Sequence, residues 1–148
     1  MNISTTILGT NNINEFVEVI NLFEDVFEME NFTFPSTQTL QSTLANPNFL
    51  VMVARHDEVI VGALTVYVLS PYYSEKAYAY IFDLAVRREY QRKGIGKQLI
   101  RALNEYCRAN NVEEVFVQAD VVDDYALDFY RSTKPTGEEQ VIHFTYAL

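Results

Sequence analysis

The chain has 148 residues, 49% of them hydrophobic and spread along its length, which predicts one globular domain over residues 1–148. A net charge of −9 argues against a nucleic-acid partner, and no apolar run is long enough to cross a membrane. With no secretion-signal pattern at the first residues and a single cysteine, Cys107, we expect a cytoplasmic protein without internal disulfides.

The first half of the chain predicts a strand, two helices and a hairpin. Alternating apolar residues favour a strand at 3–8, and the apolar spacing within 16–27 favours a helix. Ser36 then begins a second, short helix. Apolar runs at 49–55 and Val59–Leu69, separated by a polar turn, predict an antiparallel pair of strands.

The central stretch predicts a buried strand at 80–86, a basic loop with Gly94 and Gly96, and a helix that starts at Ile95. Glycine lets the backbone approach a ligand closely, and a helix N-terminus offers free N–H groups and partial positive charge. Together these features favour binding of a pyrophosphate. Six of the eleven basic residues lie in this region: Arg87, Arg88, Arg92, Lys93, Lys97 and Arg101.

A basic loop with two glycines also occurs in other structural settings. A basic turn that only starts a surface helix stays open as an alternative. The P-loop pattern does not fit, because Gln98 stands where that motif requires Ser or Thr. The dinucleotide fingerprint does not fit either, because its third glycine is replaced by Leu99.

The last part of the chain predicts a strand at 115–119, a helix that starts near Asp123 and runs through Tyr130, and a final strand at 140–147. The strand–helix–strand unit in the middle should be a parallel crossover, whereas the earlier hairpin is antiparallel. We therefore predict an α/β fold with a mixed central sheet and helices on both of its faces.

The spacing Gln91-x-x-Gly94-x-Gly96 resembles the acetyl-CoA-binding motif of the GCN5-related N-acetyltransferase (GNAT) superfamily. The order of predicted elements is also that of the GNAT fold. More specifically, Gln118-Ala119-Asp120 followed by Asp123-Asp124 resembles the aminoglycoside 3-N-acetyltransferase group. One departure is the stretch 131–135, which stands where the superfamily usually has a glycine–aromatic pair.

This resemblance implies that an amine attacks the thioester of acetyl-CoA directly. In the family, the glycine loop binds the pyrophosphate through backbone amides, and the pantetheine arm lies along the fourth strand. Carried over to this sequence, the acetyl-CoA-binding positions are Leu84, Ala85, Val86, Arg92, Lys93, Gly94, Ile95, Gly96, Lys97 and Tyr130.

Three residues are candidates for proton transfer. Asp83 interrupts an apolar strand, where a charge is costly unless it is used or paired, so it is our first candidate for the general base. The alternative is a structural carboxylate that pairs with an arginine or serves a strand bulge. Asp120 is the second candidate base, or it simply ends a strand. Tyr130 matches the family's general acid, or it is a core tyrosine of the last helix.

The acidic residues outside the basic region indicate a cationic second ligand, although excess acid also serves solubility alone. Asp123 has the alternative role of helix cap. With no spaced His/Cys cluster, we expect no metal site. The candidate substrate-binding residues are Asp120, Asp123, Asp124, Glu28, Glu30, Glu138 and Glu139.

The sequence therefore leads to an acetyl-CoA-dependent N-acetyltransferase acting on the 3-amino group of an aminoglycoside. Two alternatives stay open: an enzyme of the same superfamily that acetylates another small polyamine or a protein amine, and a non-catalytic acyl-CoA-binding sensor. By analogy with the superfamily, we also expect a homodimer.

Overall fold

The structure is a computed structural model that describes residues 1–148, and it contains five strands and four α-helices. In chain order they are β1 (Ile3–Ile7), α1 (Ile13–Val26), α2 (Thr37–Ala45), β2 (Phe49–His56), β3 (Val59–Leu69), β4 (Ala77–Val86), α3 (Ile95–Ala109), β5 (Val112–Val117) and α4 (Asp124–Ser132). A single turn of 3₁₀ helix at Arg88–Tyr90 lies between β4 and α3.

The five strands form one mixed sheet in the order β1-β2-β3-β4-β5. The pairs β1–β2, β2–β3 and β3–β4 are antiparallel, and the pair β4–β5 is parallel. Helix α3 connects β4 to β5, as a parallel pair requires. The predicted hairpin, the predicted crossover and the mixed sheet are all confirmed.

Helices pack on both faces of the sheet, because α1 and α3 each bury an apolar stripe on a different set of strand residues. On one face, Phe16 and Leu22 of α1 belong to the same buried cluster as Val51 and Ala63. On the other face, α3 buries its apolar residues with those of β3 and β4. That second cluster includes Leu64, Val66, Ile81, Ile95, Leu99, Leu103 and Cys107. The predicted α/β class is confirmed.

Side-chain caps fix the starts of two helices at the residues that the sequence indicated. The Ser36 hydroxyl accepts the Thr39 N–H at 3.1 Å and begins α2. The Asp123 carboxylate accepts the Ala126 N–H at 3.1 Å and begins α4. The strand predicted at 115–119 is shifted, since β5 begins at Val112 and ends at Val117.

The chain divides into two compact units, residues 1–117 and 118–148. The first unit contains the whole sheet and helices α1 to α3, and the second contains α4 and the residues after it. The prediction of one domain over residues 1–148 stays a prediction. None of the four α-helices combines the length and the apolar character that crossing a bilayer requires.

The predicted final strand is wrong for the single chain. Residues 140–147 have no strand neighbour and no regular secondary structure, and their side chains are exposed. Alternating apolar residues give a strand only where another strand supplies hydrogen bonds and a face to cover. The single chain supplies neither to this segment.

Candidate active site

Over its last residues, strand β4 pairs with another strand on one side and has no strand on the other. Its pairing with β5 ends at Ile81 opposite Val117, whereas its pairing with β3 continues to Val86 opposite Gly62. Residues 82–86 therefore have no β5 partner. An extended ligand with amide groups can pair with such a strand edge as an added strand does. The predicted acetyl-CoA positions Leu84, Ala85 and Val86 lie here.

A β-bulge lies at the start of this half-paired region. Thr65 pairs with Asp83 and Val66 pairs with Ile81, so Phe82 is an extra residue in β4. Bulges bend a strand and redirect its side chains, and they are frequent beside active sites. The Asp83 N–H donates to the Thr65 hydroxyl at 3.2 Å. The Thr65 hydroxyl thus accepts a backbone N–H at the bulge, where the regular hydrogen bonding between the strands is interrupted.

Asp83 follows that bulge directly and is half-buried. Burial raises the pKa of its carboxyl, because removal from water disfavours the charged form. A carboxylate with a raised pKa is a stronger base than an exposed aspartate. Asp83 therefore has the chemistry of a general base, and its position next to the half-paired residues of β4 is suited to that task.

The glycine loop follows β4 directly and is anchored to it. The Gln91 side-chain amide donates to the Val86 carbonyl at 2.9 Å, so the first residue of the glycine motif holds the end of the strand. The Arg87 N–H donates to the Val61 carbonyl at 2.8 Å, and its Nε donates to the Ile60 carbonyl at 2.8 Å. These bonds fix the chain on both sides of the turn into α3.

Gly94 is the N-cap of α3 and has a left-handed backbone with φ of +83°. A Cβ built at this residue would meet no atom within 4 Å, so the space beside Gly94 is open. The side chains of Arg92, Lys93 and Lys97 are exposed around the helix start. Exposed cations and free N–H groups at a helix N-terminus suit a pyrophosphate.

A row of aromatic rings crosses the sheet beside Asp83, and sequence reasoning missed it. Ring centroids of Tyr67 and Phe82 lie 5.5 Å apart, those of Phe82 and Tyr80 lie 6.0 Å apart, and Tyr80 stacks on Phe116 at 4.8 Å. Phe82 is 58% exposed although it is a large apolar residue. The signal in the sequence was the Phe82-Asp83 pair, in which an aromatic residue precedes the isolated acid.

Acidic residues in the last turn of α1 and just after it contact one arginine, Arg88. Arg88 Nη1 lies 3.2 Å from the Asp25 carboxylate, and Nη2 lies 3.4 Å from the Glu28 carboxylate. Arg88 Nη2 also donates to the Asp25 carbonyl at 2.7 Å. Glu30 is exposed in the turn that follows. Thus Arg88, which the sequence grouped with the cofactor-binding cations, neutralises two acids instead. An open depression of about 500 Å³ is lined by Asn21, Glu24, Asp25, Glu28, Met29 and Arg88.

In the second unit, the acids predicted to bind substrate lie on the turn into α4. One oxygen of the Asp120 carboxylate accepts the Val122 N–H at 3.1 Å, and Asp123 caps the helix. Asp124 is exposed in the first turn, and Tyr130 is half-buried, with its ring 5.0 Å from that of Phe129. Asp120 and Asp123 each keep a second carboxylate oxygen for a further bond.

The two remaining acids of the predicted set follow α4. Glu138 binds Arg131, with Oε1 at 2.6 Å from Nη2 and Oε2 at 3.1 Å from Nε. Arg131 lowers the pKa of the Glu138 carboxyl through these hydrogen bonds and its charge. Glu139 is exposed. A cationic substrate at Glu138 would compete with the Arg131 guanidinium.

The remaining expectations from the sequence concern Cys107 and metal binding. Burial raises the pKa of the Cys107 thiol, which lies on the buried side of α3 and is a poor nucleophile for that reason. No group of three or more His, Cys, Asp or Glu side chains is close enough together to hold a metal ion.

Comparison with known proteins identifies relatives of the whole chain. The profile of the acetyltransferase (GNAT) family matches residues 16–133. A search of curated proteins finds no match. The solved structure of an aminoglycoside acetyltransferase, meta-AAC0020 from an uncultured soil metagenomic sample, in complex with trehalose, is 57% identical. It covers 99% of this chain and 96% of that chain, with a TM-score of 0.96. The same protein in complex with sisomicin gives 56% identity, the same coverage and a TM-score of 0.97.

A second aminoglycoside acetyltransferase, HMB0005, also from an uncultured soil metagenomic sample, is 28% identical over 100% of this chain and 99% of that chain, with a TM-score of 0.91. AAC(6')-Iy, solved with a bisubstrate analogue of CoA and acetylneamine, is 12% identical and shares only the fold, at a TM-score of 0.82.

The family profile covers well over half of the chain, and the matched range includes the half-paired end of β4 and the glycine loop. The resemblance drawn from Gln91, Gly94 and Gly96 and from the order of elements is therefore confirmed. GNAT enzymes use acetyl-CoA, which agrees with the chemistry of the Gly94 loop. This chain belongs to the acetyltransferase (GNAT) family.

Proposed function

We propose that this protein transfers the acetyl group of acetyl-CoA to the 3-amino group of an aminoglycoside. The observation that carries the proposal is the continuity of three features: the open edge of β4 at 82–86, Asp83 within it, and the Gly94 loop after it. The solved relative at 57% identity is an aminoglycoside acetyltransferase, and it was also solved with sisomicin, which supports the substrate class. We propose a cytoplasmic location.

The residues present fit acetyl-CoA in two places. Backbone amides from Arg92 to Lys97, opened by the left-handed Gly94, would hold the pyrophosphate, with the exposed cations adding charge-assisted bonds. Backbone groups of Leu84 to Val86 would pair with the two amides of the pantetheine arm. When bound, acetyl-CoA supplies an acetyl thioester as the electrophile. Aligning both reactants supplies on the order of 7 kcal/mol of the barrier reduction in favourable cases.

We propose Asp83 as the general base. A substrate ammonium must lose a proton before its nitrogen can attack, and a carboxylate with a raised pKa accepts that proton directly or through water. The bond from the Asp83 N–H to Thr65 holds the backbone from which this carboxylate projects. Asp120 is the weaker candidate, because it is exposed and one of its oxygens already accepts the Val122 N–H.

Tyr130 is the proposed general acid. Its phenol would protonate the thiolate that leaves when the thioester bond breaks, and it would also contact the cosubstrate near the sulfur. Its half-buried position on α4 supports a fixed orientation of the ring. The family resemblance supplies the role, and the side-chain chemistry permits it.

The acceptor would be recognised by carboxylates together with aromatic faces. Asp120, Asp123, Asp124, Glu28, Glu30, Glu138 and Glu139 are the proposed partners of its ammonium groups. The exposed ring of Phe82 beside Asp83 adds a cation–π surface for the ammonium that reacts. A compact molecule with several ammonium groups on sugar-like rings can also place the C–H face of a ring on Phe82, whereas a linear polyamine offers only its ammonium groups and flexible chain.

The test is thiol release from acetyl-CoA by the purified protein with sisomicin, gentamicin, spermidine or a peptide with a free N-terminus. We expect rapid release with the two aminoglycosides and none above background with the other two. Nuclear magnetic resonance of the product should place the new acetyl group on the 3-amino nitrogen. Acetylation at a different amine would overturn the regiochemistry while keeping the substrate class.

The same panel separates the two alternatives. Release only with spermidine or only with the peptide would move the substrate to another polyamine or to a protein amine. Binding of acetyl-CoA by calorimetry, with no release for any amine, would favour the non-catalytic sensor. Asp83, with its raised pKa beside the open edge, counts against the sensor, because a binding module has no need of a base.

A further inference from the structure

The end of helix α1 is acidic and has no basic residue of its own to balance the charge. Glu24 and Asp25 lie in its last turn, which contains no basic residue, and Glu28 follows directly. The last turn of a helix carries partial negative charge, so acids there are unfavourable unless another part of the chain compensates them. The compensating cation is Arg88, some sixty positions later, in the 3₁₀ turn between β4 and the glycine loop.

Glu28 has a left-handed backbone, with φ of +52°, at a place where glycine is usual. Its N–H donates to the Asp25 carbonyl at 3.3 Å, and the Met29 N–H donates to the Glu24 carbonyl at 3.1 Å. These two bonds are those of the Schellman motif that ends many helices. A residue with a side chain adopts this conformation at a cost and keeps it only where the surrounding structure holds it. The backbone alone would favour glycine here, so the advantage of glutamate lies in its carboxylate.

The Arg88 guanidinium holds this helix end through backbone and carboxylates together. Nη2 donates to the Asp25 carbonyl at 2.7 Å and to the Val26 carbonyl at 3.5 Å, at the end of α1. Nη1 lies 3.2 Å from Asp25 Oδ2, and Nη2 lies 3.4 Å from Glu28 Oε1. Arg88 thus contacts one oxygen of each carboxylate, and the other oxygen can accept a further hydrogen bond.

The charge around Arg88 stays negative even with the arginine in place. The depression of about 500 Å³ is lined by three carboxylates, those of Glu24, Asp25 and Glu28, and by the single guanidinium of Arg88. Two negative charges are therefore in excess. Such a surface attracts an acceptor with several ammonium groups and repels the pyrophosphate of acetyl-CoA.

We propose that Arg88 is a positioning residue for the acceptor, because it fixes the backbone and the carboxylate of Glu28 so that the second carboxylate oxygen meets an ammonium group. This inference rests on the proposed function, in which Glu28 is one of the partners of the aminoglycoside. Arg88 acts through Glu28 and does not touch the acceptor. Since Arg88 follows β4 directly, it ties the end of α1 to the strand that carries Asp83, the proposed base.

The test compares Arg88→Lys with the wild type in thiol release, with sisomicin and acetyl-CoA varied in turn. Lysine keeps the positive charge but has one nitrogen and no planar fork, so it cannot contact both carbonyls and both carboxylates. We expect KM for sisomicin to rise about 3- to 10-fold, as for the loss of a few exposed charged contacts, and KM for acetyl-CoA to stay near the wild-type value. Arg108→Lys, at an exposed arginine in the last turn of α3, is the matched control and should leave both KM values unchanged. Circular dichroism checks that each variant is folded.

Two further measurements test whether Arg88 acts through Glu28. We expect Glu28→Gln to raise KM for sisomicin by a similar factor, and the double variant Arg88→Lys/Glu28→Gln to raise it no further, since residues in contact are not additive. Hydrogen–deuterium exchange follows the backbone without any turnover. The amides of Glu28 and Met29 should exchange faster in Arg88→Lys than in the wild type, because the helix end has lost its anchor.

Several results overturn the inference and leave the proposed function intact. A rise in KM for acetyl-CoA alone would make Arg88 a contact of the cosubstrate. A fall in KM for sisomicin in Arg88→Lys would make Arg88 a competitor of the substrate ammonium. Unchanged KM values, even with a lower Tm, would make it a structural cap only, and additive effects in the double variant would exclude the route through Glu28. A wild type that releases no thiol with sisomicin or gentamicin overturns the proposed function itself, and this inference with it.

Discussion

Replacement of Thr65 separates the positioning of the proposed base from the stability of the fold. Thr65 is the buried polar residue of the sheet core, 5% exposed, and its hydroxyl accepts the Asp83 N–H at 3.2 Å. Thr65→Val keeps the shape of the side chain but removes the acceptor. Thr65→Ser keeps the acceptor but removes a buried methyl group. We expect the valine variant to lose activity and the serine variant to keep it.

The expected magnitudes follow from the two groups removed. A part-buried N–H left without an acceptor costs roughly 1–3 kcal/mol, and the methyl that valine adds returns about 0.8 kcal/mol. The net loss for Thr65→Val is therefore on the order of 1 kcal/mol, and Thr65→Ser loses about the same through its missing methyl. For a chain of this size that corresponds to a fall in Tm of about 2–4 °C in each variant.

The activities should differ although the stabilities match. Without the hydrogen bond from the Asp83 N–H to Thr65, we expect the bulge to shift and the Asp83 carboxylate to move away from the substrate amine. A displacement of about 1 Å can cost on the order of 10²-fold in rate. We expect kcat of Thr65→Val to fall about 10- to 100-fold with KM for acetyl-CoA near the wild-type value. Urea denaturation and thiol release measure the two effects. Equal kcat in the two variants would refute the positioning role of the Thr65 hydroxyl.

Three further variants test the proposed site. Asp83→Asn should lower kcat by roughly 10²- to 10⁴-fold and raise Tm at neutral pH. Burial raises the pKa of Asp83, so the wild type loses stability as the pH rises through that pKa and the carboxyl becomes charged. The gain in Tm of Asp83→Asn should therefore vanish at acid pH, where the wild-type carboxyl is neutral as well. Tyr130→Phe should lower kcat with unchanged acetyl-CoA affinity by calorimetry; unchanged kcat at every pH would remove Tyr130 as the acid. Gly94→Val should weaken acetyl-CoA binding, because φ of +83° strains any side chain, whereas Gly137→Ala, with equal space but no positive φ, should not.

Most of the fold could be predicted because its elements are specified locally. The apolar spacing of α3 and the polar turn between β2 and β3 need only a few neighbouring residues to be recognised. Ser36 and Asp123 begin their helices as their side chains indicated, since a cap is a contact between residues three apart. The glycine motif was equally local, and it led to the correct family.

The site was harder to predict because it depends on strand pairing. The bulge at Phe82 exists only when β3 and β4 are in register, and nothing in the sequence near Phe82 fixes that register. The role of Thr65 and the aromatic row follow from the same register, since Tyr67 lies directly opposite Tyr80. Arg88 was counted with the basic residues around the glycine loop because it is near that loop in sequence, whereas its partners Asp25 and Glu28 are some sixty positions away.

The prediction of a final strand at 140–147 was wrong for a reason that also bears on the proposed site. The alternating pattern of this segment is that of a strand, but a strand needs a partner, and residues 140–147 have none in the single chain. The sheet itself leaves three stretches without a neighbouring strand: the outer sides of β1 and β5, and one side of residues 82–86 of β4. Such edges expose backbone groups that an extended segment can satisfy. We assign the open side of residues 82–86 to the pantetheine arm. Gly94→Val should therefore weaken acetyl-CoA binding at the pyrophosphate while the open side of β4 is unchanged.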